Sequence, residues 1–150
     1  MSAGLANPYD AFHFTVAIEG IPVAAFTECV LPAVSIDVIE YREGADLQNN
    51  VHKLPGLVKY DNLILRNGLT SSNALWGWFS SFVQGTGTTK SITVSLLDGQ
   101  KNQVYQWGFA NAWPVKFQSP VLDGKRSALA IEILEIAVEG MTVLNLGQGN

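Results

Sequence analysis

A chain of 150 residues is long enough for one hydrophobic core and too short for two ordinary domains. Charged residues make up only 15% against 47% hydrophobic, at a mean hydropathy of +0.17, so such a chain either buries an unusual share of itself or presents apolar surface to partner subunits. The net charge of −4, with lysine and arginine scattered singly, argues against a dedicated nucleic-acid reader, which needs a clustered basic footprint to displace counterions.

The first residues, through Pro8 and Tyr9, have neither a basic segment nor an apolar one, so no signal peptide is expected and synthesis is expected to end in the cytoplasm. No apolar run approaches the roughly 18 residues a membrane-spanning helix requires. The single cysteine, Cys29, has no companion at disulfide or metal spacing and reads as a small strand residue.

In residues 10–19, Phe12, Phe14, Val16 and Ile18 fall on one face and His13, Thr15, Ala17 and Glu19 on the other, a period-two strand with one buried side. Gly20 turns the chain, and residues 21–30 read as a second strand paired with the first in a hairpin. A third strand covers 34–42, where Val34, Ile36 and Val38 give way on the same face to Glu40 and Arg42, as in a strand that leaves its own core. A polar loop spans 43–51. Residues 53–66 read as one strand, apolar on both parities and therefore expected to meet protein on both sides, kinked at Pro55-Gly56 and closed by Asn67-Gly68.

Thr70 is expected to cap a helix over 71–84 that Gly85 stops, with Leu75, Trp78, Phe79, Phe82 and Val83 forming one apolar stripe. Residues 85–90 are glycine-rich. They follow a helix and lack the lysine-hydroxyl ending of a phosphate loop, so they are a linker. Residues 91–97 and 103–109 form a hairpin about Asp98-Gly99, and 111–117 continue the second strand past a bulge or bend. A loop at 120–125 leads to a last strand over 127–139, whose apolar parity switches from Leu129, Ile131 and Ile133 to Leu134, Ile136 and Val138. Such a switch requires a bulge or burial on both faces. Residues 141–150 read as an extended tail.

Enzymatic chemistry has little to stand on. The two histidines, His13 and His52, lie on a strand and in a polar loop, and no nucleophile elbow accompanies them. Asp37, Glu40, Glu43 and Asp46 gather near the polar loop without calcium-loop spacing and with Arg42 among them, which suits interface ion pairs. No catalytic residue, cofactor site or metal site is assigned. The alternative from another class is a small-ligand-binding β-barrel.

Six stretches, taken together and in order, carry a family likeness: Tyr41-Arg42-Glu43-Gly44, His52 through Tyr60, Leu65 through Thr70, Leu75-Trp76-Gly77-Trp78, Phe109 through Pro114, and Ile131 through Glu135 with Val138-Glu139-Gly140. The sequence resembles the tail tube family, the inner-tube proteins of contractile phage tails and extracellular contractile injection systems. The resemblance implies a mainly β fold, an antiparallel β-barrel-like sandwich with one helix on its side, in a single domain over 1–150. It implies a structural, non-enzymatic subunit of stacked hexameric rings around a channel for DNA or effector protein, either the main tube subunit or a tube-initiator paralogue. The partners implied are further copies, a contractile sheath protein, and baseplate, spike and cap proteins, with no membrane insertion by this chain and assembly into a virion tail or injection particle. The loop between the third and fourth strands would reach neighbours, which makes Glu40, Tyr41, Arg42, Glu43, Gly44, Lys53, Pro55 and Gly56 candidate subunit contacts. His13, Thr15 and Glu19 are candidates for the lumen.

Overall fold

The computed structural model describes residues 12–22, 26–44, 50–68, 73–125 and 130–147. Its elements are β1 (His13–Ile18), β2 (Phe26–Val30), β3 (Val34–Tyr41), β4 (His52–Tyr60), β5 (Leu63–Gly68), α1 (Ala74–Val83), β6 (Lys90–Leu97), β7 (Gln103–Gln118), β8 (Ile131–Ala137) and β9 (Thr142–Asn145). The protein is mainly β, and every strand pairing is antiparallel.

The alternation expected in β1 is present: Val16 and Ile18 are buried while Thr15 and Ala17 face out. The expected hairpin with the next strand is not. Ile21 only bridges back to Ile18, and β1 instead pairs with β6, while β2 pairs with β5. The β6 pairing sets Val16 opposite Val94 and Ile18 opposite Ile92, all four in the core, and cross-strand apolar pairs of that kind are what stabilise a ladder.

Strand order in the main sheet is β1-β6-β7-β8-β5-β2, with β9 also on β7. Residues 141–147, expected as a tail, are thus partly a sheet strand, with Thr142 opposite Gly108 and Asn145 opposite Tyr105. The long β7 belongs to both halves of the sheet: Gln103 to Ala112 faces β6, and Trp113 to Gln118 faces β8. Between them the register slips by a residue at Asn111, whose φ of 56° is a left-handed conformation that Asn tolerates better than most residues. This is the expected bulge. It lets one strand turn from one half of the sheet into the other, as at the corner of a folded sheet.

The core lies between the halves. Val16, Ile18, Ile92, Val94 and Phe109 meet Leu63, Leu65, Leu134 and Ile136, and α1 contributes Leu75 and Trp78. At β8, Leu134 and Ile136 are buried while Ile131 and Ile133 on the other face are half-buried, and Leu129 lies outside the described residues.

The helix begins at Ala74 behind Asn73, which makes no side-chain cap hydrogen bond. Thr70, expected as its cap, lies outside the described residues. Its end matches expectation, because Gly85 takes a φ of 84° and donates its N–H to the Phe82 carbonyl at 3.1 Å, a conformation costly for residues with a Cβ. Trp78 Nε1 donates to the Thr88 carbonyl at 3.0 Å and ties the following linker to the helix. Trp76 and Phe82 lie against Phe117 and Trp113 of β7, with ring centroids 5.2 and 5.7 Å apart.

Residues 53–66, expected as one strand, are two strands in different sheets. β4 joins β3 in a separate 2-stranded sheet and β5 joins the core, with the break at Asp61 and Asn62. The Asp61 N–H donates to the Ala33 carbonyl at 3.0 Å and clamps the root of the β3–β4 pair, while Asn62 Nδ2 donates to Glu135 Oε1 at 3.3 Å.

Candidate functional site

The β3–β4 pair is an arm. Directly opposed residues share a face, so Val34, Ile36 and Val38 lie with Tyr60, Val58 and Pro55 on one side, and Ile39 and Tyr41 lie with Leu54 and His52 on the other. Of these, Ile36, Val38, Ile39, Leu54 and Val58 are each about half exposed, from 48% to 59%, and Leu57 reaches 73%. Apolar residues on both parities had suggested burial on both sides. Among the described residues, these side chains are left about half exposed on both sides.

The candidate contact residues sit at the far end of this arm. Glu40 is opposite Lys53 and Tyr41 opposite His52, where the two rings stack with centroids 5.2 Å apart. Arg42, Glu43 and Gly44 follow and are exposed. Residues 45–49, which include Asp46, lie outside the described residues. Pro55 and Gly56, expected as a turn or kink, lie inside β4 at a bulge where the register shifts between Ile36 and Val38. A Cβ on Gly56 would meet the Asp37 carbonyl and Ile39 Cγ1 at 3.1 Å, a tight fit, so the close approach of the strands favours glycine. An ion pair, Lys59 Nζ to Asp37 Oδ2 at 3.2 Å, bridges the arm nearer its root; both partners are well exposed, and such a pair contributes little.

Sequence reasoning found the charged end and missed the arm's exposed flanks. Their signal was present in Pro55, whose missing N–H suits an edge strand or a bulge better than a central strand.

A second surface is the outward face of β1, β6, β7 and β9. Cross-strand registers place Thr15, Ser95, Gln106 and Leu144 in one row and Ala17, Thr93, Gly108 and Thr142 in the next. Those rows carry small, hydroxyl, amide and aliphatic groups and no formal charge. The lumen candidates His13 and Thr15 are exposed on this face, and Glu19 continues it just beyond β1. Glu19 is also tied to the scaffold, since its Oε1 accepts the Ser91 N–H at 2.9 Å.

Titratable groups away from these surfaces have structural explanations. Burial pushes the Cys29 thiol up to about 11, and burial also raises the Glu132 carboxyl opposite the buried Asn67. Backbone N–H donation, first from Asn102, lowers Asp98. Among the described residues no group of histidine, cysteine and carboxylate side chains is placed to hold a metal ion, and no helix is long and apolar enough to cross a membrane. The interior that a ligand-binding barrel would need open is occupied by Phe109, Leu63, Leu65, Ile92, Leu134 and Ile136.

The profile of the family described as T4-like virus tail tube protein gp19 matches residues 10–142. Comparison with curated protein sequences finds no match. Among solved structures, the fold is similar to a chain of the sheath–tube complex of an extracellular contractile injection system, PVC, in its extended state, with 26% identity, a TM-score of 0.78, and 88% of each chain covered. It is similar at 25% identity and a TM-score of 0.78 to a chain of the anti-feeding prophage cap, a tube-terminating cap, covering 88% of this chain and 87% of the other. Hcp1 from Salmonella typhimurium shares the fold at 13% identity and a TM-score of 0.63, covering 93% of this chain and 90% of that one.

Proposed function

The chain belongs to the tail tube protein family of T4-like viruses, and from that premise we propose that it is a structural inner-tube protein of a contractile injection system or phage tail. Its copies form hexameric rings that stack around a channel, and DNA or effector protein passes through it. The role is structural rather than enzymatic. A contractile sheath surrounds the tube, with baseplate, spike and cap proteins at its ends. Similarity to chains in sheath–tube and cap complexes supports these partners. The chain works in the assembled particle, after synthesis in the cytoplasm.

The observation that carries the assembly reading is the β3–β4 arm. An isolated two-stranded hairpin is marginal in water, and this one exposes apolar side chains on both faces. A second copy that covers it removes the liability, and a contact between an arm and a different surface of the neighbour is heterologous, the kind that generates rings and stacks. Glu40, Tyr41, Arg42, Glu43, Gly44, Lys53, Pro55 and Gly56 belong to this contact. The uncharged rows beside Thr15 suit the lumen wall, with His13 and Glu19 at its margins, because neutral small groups hold no passing cargo electrostatically.

Negative-stain microscopy of the purified protein at high concentration tests this reading. Rings or tubes with a central channel are expected. A protein that stays strictly monomeric overturns the proposal.

A further inference from the structure

Helix α1, Ala-Leu-Trp-Gly-Trp-Phe-Ser-Ser-Phe-Val, carries no charged residue. A helix at the surface of a soluble subunit ordinarily turns a charged face to water, and one that is apolar all round is covered on every side. The hydroxyls of α1 turn back to its own carbonyls: Ser80 Oγ donates to Gly77 at 3.2 Å and Ser81 Oγ to Trp78 at 2.6 Å. Leu75 and Trp78 meet the core. Trp76 and Val83, seven residues apart and so on one face, lie outside it and are 48% and 70% exposed.

This face borders a cluster of rings at the rim of the core. Trp76, Phe79 and Phe117 form a triangle with centroids 5.2 to 6.1 Å apart, and Phe82 lies on Trp113, which is itself exposed. Val121 and Leu122, within about 18 Å of Phe117 by chain length, are the most exposed large apolar side chains among the described residues. Exposed tryptophan amid apolar neighbours is the composition of an anchor for another protein.

The position of this surface decides its occupant. Val16, Ile92, Val94 and Phe109 line the inner face of β1, β6 and β7, and α1 packs with them from the core side. The uncharged rows through Thr15 and Ala17 lie on the outer face of the same sheet. With those rows turned to the channel, the sheet stands between α1 and the channel, and the bare face of α1 lies on the outer wall of the tube. Copies in a ring meet side to side and rings meet end to end, so the protein left to cover an outer wall is the sheath.

We propose that Trp76 and Val83 of α1, with Trp113 nearby, seat the sheath protein, and that apolar burial rather than charge holds it there. This rests on the tube reading and adds to it the chemistry of the contact: the sheath meets α1 with an apolar segment.

The test uses whole particles in which the tube chain carries Val83→Lys. A lysine in the last turn of a helix suits its dipole, so the variant is expected to melt with the parent and to build tubes of normal shape. Negative-stain microscopy of particles from producing cells is expected to show bare tubes, with sheathed ones reduced about tenfold or more, as the loss of one anchoring contact gives. Sheathed particles at the parent's frequency overturn the assignment. So does a variant that melts with the parent and forms no tubes, because the face then joins copies of this chain. Should Val83→Lys fail to fold, Val83→Gln, which keeps helix propensity and adds no charge, takes its place with the same outcomes. If the parent forms neither rings nor tubes, the tube reading fails and this assignment with it.

A second arm moves parent particles from low salt to about 1 M sodium chloride, where the screening length is about 3 Å. The sheath is expected to stay on the tube. Release of the sheath by salt overturns the apolar assignment and leaves the tube reading standing.

Discussion

The Tyr41 ring lies on the His52 imidazole, centroids 5.2 Å apart and planes 29° from parallel, across the last paired rung of the β3–β4 arm. This stack closes the far end of the arm and the Asp61-to-Ala33 hydrogen bond clamps its root, so the arm is held at both ends while its flanks stay bare. Replacing the opposed pair Ile36 and Val58 by Ile36→Glu and Val58→Lys keeps a favourable cross-strand pair and removes apolar surface from one flank. Both positions are more than half exposed, at 55% and 52%, so we expect the folding free energy to stay within about 0.5 kcal/mol of the parent. Assembly is expected to collapse. Denaturant titration and light scattering on the same samples separate the two effects.

The Asp98 side chain organises the β6–β7 turn. Its Oδ1 accepts the N–H groups of Gln100 at 2.8 Å and Asn102 at 2.9 Å, and its own N–H donates to the Asn102 carbonyl at 2.9 Å. Donation from Asn102 is the leading cause of its lowered pKa. A carboxylate whose folded pKa lies below the ordinary 3.8 contributes stability that is present above that value and lost as pH falls through the folded pKa. Asp98→Ala is therefore expected to lower Tm at neutral pH, and the gap from the parent is expected to narrow below pH 3.8 as the parent's carboxylate is protonated. A gap that does not change with pH would show that the ionised side chain contributes nothing to the turn.

At Cys29, half-buried on β2 opposite Leu65, burial holds the thiol near 11 against an ordinary 9.0. The thiolate is the reactive form, so at pH 8 its population is depressed roughly 100-fold by that shift alone. Ellman's reagent is expected to react with the native protein at least that much more slowly than with the guanidinium-unfolded chain. Equal rates would mean that β2 opens freely or that the thiol is not buried.

Much of this architecture was legible in short stretches of sequence, and what was not depends on distance along the chain. The alternation of Val16 and Ile18 marks a buried face, and Asp98-Gly99 marks a hairpin, because both signals are local. The partner of β1 is β6, far along the chain, and nothing in residues 10–30 distinguishes that pairing from a hairpin with the next strand. Leu57 and Leu63 look alike in sequence, yet one is 73% exposed on the arm and the other fully buried in the core. Apolar character states that a residue seeks cover; whether its own chain or a neighbour provides it is decided by topology. The candidate site was legible for the same reason only at its charged end, where Glu40 and Lys53 have no place in a core.

Gly87 supplies the remaining test, one directed at the helix and its linker. A Cβ built on Gly87 would clash with Cγ, Cδ1 and Cδ2 of the Phe82 ring, against the ring body rather than the end of a flexible chain. Phe82 has little freedom to yield, since it packs on Trp113 with centroids 5.7 Å apart, and the linker is held by the Trp78-to-Thr88 hydrogen bond. Gly87→Ala is expected to cost about 1–3 kcal/mol, the usual range for overpacking a well-filled site. The same substitution in a Phe82→Leu background should cost markedly less, because the smaller side chain vacates the space the new methyl needs. Denaturation midpoints of the four proteins in that cycle give the coupling directly. Additive effects would mean that the clash is relieved by movement of the linker and that glycine at this position serves only the backbone.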